Sequence, residues 1–295
     1  MSKTSSRVLV TGATGKVGSG LVARLRQAAS IDVVAGVRSL QKASSLNVPV
    51  VHLDFDKIDT LEAALRDVST VFMMTGYTVD MFRQSKAFLN AAKSAGVNHI
   101  VHLGACGNDD TQVAHWGWQQ FVERFIEWAG FSFTHIRPDI FMQNLLGYGG
   151  SRPVDGGVIR HYVGNARISW VDCDDVADVA AACILDQAKH AGATYRLASD
   201  VKTFSEVAAA ISATLGKRFV YEARPAAEFL EKALAAGADQ AYMHSAYENY
   251  AAYTDGKEPE PGAPFDIMQS ILGRPGTTWT EFADRHRSEF EYQEQ

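Results

Sequence analysis

The chain has 295 residues, with 28 Lys and Arg against 34 Asp and Glu, a formal net charge of -6. Hydrophobic residues make up 46% and charged residues 21%, the balance of a folded globular chain and not of a disordered one. An acidic balance argues against a general binder of nucleic acid, and no apolar run approaches the ~18 residues of a membrane span.

The length admits one large domain or two. Cys106, Cys173 and Cys183 are odd in number and show no CxxC spacing. They read as reduced core thiols in a cytoplasmic protein. The opening MSKTSS has no apolar stretch of the kind a signal peptide needs.

In chain order, a β-branched strand at 8–10 is followed by a glycine turn. Val17, Leu21, Leu25 and Ala28 then recur at helical spacing over 16–29. Strands are predicted at 32–37, 50–53, 70–75, 99–103 and 133–137, the last stopped by Pro138. Helices are predicted at 61–68, at 80–95 before a capping Gly96, and at 115–129. This alternation predicts an α/β fold, a doubly wound, Rossmann-like parallel sheet with helices on both faces. Beyond Phe141 the pattern loosens. A glycine-rich loop is expected over 147–165, helices at 171–186 and 205–215 (N-cap Thr203), a strand at 194–198, a loop at 254–264 and a last helix at 278–290. The expected division is a dinucleotide-binding domain at 1–146, to which strands near 168–172 and 194–198 return. A smaller α+β lobe is expected from the rest of 147–295.

The turn reads Thr11-Gly12-Ala13-Thr14-Gly15-Lys16-Val17-Gly18. Glycines there let the chain reverse, let backbone N–H groups approach a pyrophosphate, and let helix and sheet pack closely. The following helix N-terminus adds partial positive charge. Strand two ends Gly36-Val37-Arg38-Ser39. An acidic residue there would select NAD; a guanidinium matches a ribose 2′-phosphate, with Lys42 close behind, and the expectation is NADPH over NADH. The alternative is an Arg38 that is merely solvated.

The GxxGxxG spacing resembles the short-chain dehydrogenase/reductase superfamily, in its extended and atypical branches. The resemblance implies that Asp54-Phe55 flank adenine and that Met74-Thr75-Gly76 run past the cofactor's riboses. Asp56 and Asp59 are read as solvated. Most members use a YxxxK pair, one helical turn apart on a common face. The helix here reads His115-Trp116-Gly117-Trp118-Gln119-Gln120-Phe121-Val122-Glu123, without tyrosine or lysine. The strand before it ends Gly104-Ala105, where a serine would be expected. Tyr253 and Lys257 form a literal YxxxK in a Gly/Pro-rich stretch and are set aside. The absence argues against epimerase, dehydratase and ordinary alcohol dehydrogenase chemistry.

Four further segments narrow the resemblance. They are Glu123 with Gly130, then Thr134-His135-Ile136-Arg137-Pro138 with Phe141-Met142-Gln143-Asn144. Ile168 to Asp172 follows with Asp175-Val176-Ala177, and then Leu272-Gly273-Arg274-Pro275 with Thr280-Glu281-Phe282. Together they resemble the NmrA-like family. That resemblance implies one of two functions. The first is an NADPH-dependent reductase of quinones, triphenylmethane dyes or similar flat conjugated compounds, needing no metal and no flavin. The second is a non-catalytic dinucleotide sensor that regulates a protein partner. A third reading, a reductase of a phenylpropanoid-type intermediate, would prefer a lysine in the helix at 115–129.

A flat acceptor needs a hydride donor on one face and an apolar wall opposite. The candidate catalytic residues are Gln119, His115 and Tyr77, and Gln119 is also a candidate for the nicotinamide ribose. Trp116 and Trp118 are candidate stacking walls. In the family's closing turn, Phe141 is a candidate for the substrate pocket and Asn144 for the cofactor. His161 and Tyr162 are candidate caps. Each has a packing alternative. His99 and His102 point to opposite faces of their strand and do not read as metal ligands; His135 reads as a core histidine. Cys106 lacks a basic neighbour in sequence. Asp172, Asp174 and Asp175 fit a helix start. Residues 237–262 are open between a lid and a docking segment. The chain is expected to be a monomer or homodimer with a small aromatic substrate, and without nucleic acid or membrane partners.

Overall fold

The computed structural model describes residues 6–147, 153–257 and 266–292. Residues 258–264 of the loop expected at 254–264, and 148–152 of the glycine-rich loop, lie outside the described residues. The chain forms two compact units. One comprises Met1–Ala105, Trp118–Arg137 and Val176–Arg196; the other comprises Cys106–Gly117, Pro138–Asp175 and Leu197–Gln295.

The first unit begins β1 (Ser6–Val10), α1 (Lys16–Leu25), β2 (Ile31–Val37) and β3 (Val50–His52). It continues α2 (Ile58–Ala64), β4 (Thr70–Met74), α3 (Met81–Ser94) and β5 (His99–Leu103). Then come α4 (Ala114–Trp128), whose first turn belongs to the other unit, and β6 (Ser132–Pro138). The strand Ala193–Leu197 stands beside β6 at one edge of a seven-stranded sheet, and the order continues β5, β4, β1, β2, β3. Pairing from β6 across to β3 is parallel. The central strands are runs of buried apolar residues, as a sheet covered on both faces requires. Leu9, Phe72, Met73 and Ile100 are fully buried. Because β1 sits between β2 and β4, the order in which successive strands are added reverses there. That crevice at the carboxyl ends is where such sheets bind ligands.

Several bounds differ from the sequence reading: the helix expected at 16–29 ends at Leu25 and that expected at 278–290 ends at Arg285. The helix expected at 61–68 starts earlier and stops at Ala64, because Asp67 takes φ 59° and turns the chain before β4. The strand expected near 168–172 does not return to this sheet. Ile168–Val171 pairs with Ile140–Phe141 and with Asp200–Lys202 in a separate three-stranded sheet of the second unit.

The second unit holds that sheet and another, built from Val154–Asp155, Val158–His161 and Val220–Ala223. Its core is aromatic: Trp170, Phe204, Trp279 and Phe282 are buried, and the Trp170 and Trp279 rings meet edge to face at 5.0 Å. Capping boxes start the helices Phe204–Leu215 (Thr203 with Glu206) and Trp279–Arg285 (Thr278 with Glu281). A Ser/Thr three residues before Glu satisfies two otherwise orphaned N–H groups. The helices Ala226–Ala235 and Gln240–Thr254 had no counterpart in the sequence reading. The buried face of the latter mixes Tyr242, Ser245, Asn249 and Tyr253, so no apolar period announces it. Tyr253, of the literal YxxxK, is one of these core residues.

Candidate functional site

The site begins at the glycine turn. The Thr11 N–H donates to the Phe72 carbonyl at 3.0 Å, and the Thr11 hydroxyl accepts from the Met74 N–H at 2.9 Å. These bonds tie the end of β1 to the end of β4. Gly12 takes φ +60°, and a Cβ there would collide with the Met74 side chain, whose Cγ would be 2.8 Å away. A Cβ on Gly18 would overlap the Gly12 carbonyl and approach Ala13 Cα to 3.0 Å. So Gly12 allows the reversal and Gly18 lets α1 lie against the turn.

Gly15 is the N-cap of α1, whose first turn carries no acidic residue. Thr14 and Lys16 are exposed, while Val17 is buried in the core. Backbone clear of side chains, followed by an uncompensated helix N-terminus, suits a dinucleotide pyrophosphate. We expect Gly18→Ala to cost about 1–3 kcal/mol of stability, read as a lower urea midpoint. Dinucleotide affinity should fall with it.

At the end of β4, Thr75 meets α4. The Gln119 amide nitrogen donates to the Thr75 hydroxyl at 3.0 Å, and Gln119 is only 6% exposed. Met74 is half-buried, and Gly76 and Tyr77 are exposed, Tyr77 at 49%. Trp118 leans on the first unit's core and meets Phe82 edge to face at 6.3 Å.

Gln119 is the first of three polar residues on one helix face. Gln119, Glu123 and Glu127 stand at i, i+4 and i+8, and each faces a polar partner from the sheet. Gln119 lies beside His102 of β5. Glu123 takes the Arg137 guanidinium of β6, with Nη2 to Oε2 at 2.5 Å and Nε to Oε1 at 3.0 Å. Glu127 meets His135 of β6, Nε2 to Oε1, at 3.2 Å. His102 and His135 are register partners across β5 and β6, with rings 5.8 Å apart.

Burial pushes the His102 pKa down to about 3, with help from Arg137. Burial first, then His102 and Arg137, also pushes His135 far down. Both rings are therefore neutral at pH 7. His102, Glu123 and His135 bring possible ligand atoms within 4.8 Å of one another. A divalent cation there would meet the Arg137 guanidinium already bound to the one carboxylate, so the donor set fits an ion poorly. The same row explains Gly104. A Cβ at that position would press on Glu123 Oε1 at 3.1 Å and on His102 Cε1 at 3.3 Å. A serine has little room there.

Arg38 is exposed just past β2 and lies within electrostatic reach of Asp56. Asp56, read as solvated, is exposed but engaged. It accepts from Arg83 at 2.5 Å and from Gln84 at 3.1 Å, and these bonds lower its pKa. Asp54 accepts from the Asp56 N–H at 3.1 Å. The Phe55 ring packs on Phe88 at 4.9 Å. Lys42 lies in a 3-10 turn at Leu40–Ala43; its side chain is outside the described part of the structure.

Within the second unit, Ser245 anchors His115: its hydroxyl lies 3.0 Å from the His115 N–H and 2.9 Å from Nδ1. Burial pushes the His115 pKa down to about 4, so the ring is uncharged at neutral pH. Its neighbours are Tyr242 at 5.1 Å and Trp116 at 5.9 Å. His161 stacks on Phe204 at 4.3 Å, meets Tyr250 at 5.1 Å, and has its pKa pushed down to about 3 by burial. Those ring contacts make it part of the aromatic core. Phe141 is half-buried and Asn144 exposed, in the strand and 3-10 turn after β6.

The acidic cluster does more than start a helix. Asp172 accepts from Gln143 at 2.6 Å and pairs with Arg285, and Asp175 holds the Thr277 N–H at 2.6 Å and Arg274 at 2.8 Å. These carboxylates tether the C-terminal segment, a role that sequence spacing could not show.

The NmrA-like family model matches residues 4–283. The chain is 32% identical over 291 residues to an NAD(P)H azoreductase of Xenophilus azovorans, covering 96% of this chain and 99% of that protein. It is 26% identical to quinone oxidoreductase 2 of Escherichia coli strain K12, covering 93% and 96%. The structure of the Citrobacter sp. triphenylmethane reductase complexed with NADP(H) superposes with a TM-score of 0.77 at 25% identity, covering 94% of this chain and 99% of that one. A family match over nearly the whole length, with its Rossmann-like sheet and glycine turn in place, settles the assignment: the chain belongs to the NmrA-like family.

Proposed function

We propose that this protein is an NADPH-dependent reductase that passes hydride to a quinone, an azo compound or a similar flat conjugated acceptor. The observation that carries the reading is the first unit's switch-point crevice. There the glycine turn is bonded to the end of β4, and Gln119 reaches Thr75 at that same end. The names of the azoreductase, quinone reductase and dye-reductase relatives support the acceptor class. When bound, the nicotinamide supplies a hydride, that is two electrons and a proton.

The chain's own residues bind and orient. The turn from Gly12 to Gly18 takes the pyrophosphate, Thr75 and Gln119 border the nicotinamide ribose, and Arg38 takes the 2′-phosphate. A reduced quinone also takes up one proton, and water suffices as its source. This matches an α4 without tyrosine or lysine and a His115 that is neutral at pH 7.

The test is NADPH oxidation at 340 nm with a panel of quinones, azo dyes and cationic triphenylmethane dyes, alongside a binding titration. Acceptor-dependent oxidation is expected. Tight binding with no oxidation for any acceptor would overturn the reductase reading in favour of a dinucleotide sensor. For the 2′-phosphate, Arg38→Asp should weaken NADPH binding by about tenfold or more, the worth of a charge-assisted contact. NADH binding should stay nearly unchanged, and equal losses would remove Arg38 from that role.

A further inference from the structure

Gln119 sits at the cofactor end of β4, but its amide has two ways round. The orientation that donates to Thr75 leaves the amide oxygen pointing back into the protein. That oxygen is buried and has no aligned hydrogen-bond partner, and the same holds for both ring nitrogens of His102. Gln119 is a side-chain hydrogen-bonding neighbour of the His102 ring, yet the two form no regular hydrogen bond. Burying such groups is costly unless they pair. The other two rungs of the row are closed, Glu123 by Arg137 and Glu127 by His135. A neutral imidazole carries one N–H, and the Gln119 oxygen is the acceptor beside it. Hydrogen bonds of this kind are often poorly aligned before ligand binds and tighten in the complex.

We propose that His102 is a positioning residue: its ring N–H holds the Gln119 amide oxygen, so that the amide nitrogen is directed at Thr75 and the cofactor's ribose. This rests on the proposed reading of Gln119 at the nicotinamide end. His102 itself is fully buried and acts through Gln119. The groups packed around it are Gln119, Glu123, His135 and Arg137, and Arg137 already satisfies the one carboxylate. Gly104 keeps the space above the ring open.

The experiment is NADPH titration, followed by the fluorescence of the reduced nicotinamide, on Gln119→Met, His102→Leu, His102→Asn and the double variant Gln119→Met/His102→Leu. Gln119→Met should weaken binding about fivefold, the worth of one hydrogen bond. His102→Leu should weaken it by a similar factor. The double variant should bind no worse than Gln119→Met alone, because both changes remove the same interaction. His102→Asn keeps an N–H donor and should restore binding to within about twofold of the parent.

Normal binding by His102→Leu with impaired Gln119→Met overturns the positioning role and leaves the cofactor reading standing. Losses that multiply in the double variant also overturn the role. Normal binding by Gln119→Met overturns both. Should His102→Leu not fold, His102→Met, closer in volume, takes its place. Melting temperatures on the same samples separate lost folding from lost orientation.

Discussion

Arg137→Leu is expected to lose about 3–5 kcal/mol of folding stability, among the largest effects of any single substitution in this chain. The reason is the charge left behind. Glu123 is fully buried and Arg137 only 4% exposed, and their side chains meet at 2.5 Å. Removing the guanidinium strips the buried Glu123 carboxylate, which lies beside His102 and His135, of its ion-pair partner. The double variant Glu123→Leu/Arg137→Leu should recover most of the loss, since an apolar pair of suitable volume commonly replaces a buried ion pair without penalty. Urea unfolding of the three proteins checks this. Equal midpoints for Arg137→Leu and the parent would mean that no uncompensated charge is left in the core.

Acid should unfold this protein well before its carboxylates protonate. Burial holds His102 at about 3, His115 at about 4 and His161 at about 3, and drives His135 far down, against an ordinary value of 6.5. The folded state thus keeps these rings neutral while the unfolded chain binds protons. Their contribution is complete above pH 6.5 and is lost as pH falls from 6.5 towards the folded values. At pH 5 each ring has lost roughly 2 kcal/mol, about 1.5 pH units at 1.36 kcal/mol per unit. Four such rings approach the ~5–15 kcal/mol of a whole folded protein. The melting temperature should fall by roughly 15 °C or more between pH 7 and pH 5. A flat profile over that range would show that these rings are not buried neutral. In Arg137→Leu the slope should be shallower, because the guanidinium that opposes protonation of His102 and His135 is gone.

Much of the first unit was legible in the chain. The order of its strands and helices followed from apolar runs broken by glycine turns, and the turn at Gly12–Gly18 was visible as a string. The second unit was less so. Ile168–Val171 reads like any short buried strand, and nothing local says which sheet it joins. The helix Gln240–Thr254 buries serine and asparagine alongside tyrosine, which hides its period. Within the candidate site, Gln119 and Thr75 were each singled out, for different reasons. Their hydrogen bond joins residues 44 positions apart. The buried row on α4 had a local signal, Gln119, Glu123 and Glu127 at successive i+4 steps. Three polar residues at that spacing more often mark a solvated face, and only the histidines and arginine of β5 and β6 turn it into an interior one.

Sequence by itself determined the Rossmann-like architecture, the place of the glycine turn, and the lack of tyrosine and lysine on the helix after β5. Those features depend on neighbours in the chain: dihedral freedom at glycine, apolar period, side chains one helical turn apart. The tertiary structure alone decided that Asp172 and Asp175 tether the C-terminal segment, that His161 belongs to an aromatic core, and that His102 stands behind Gln119. Each of these is a pairing between distant segments, set by strand register and helix rotation. A local pattern carries no record of what the opposite surface presents.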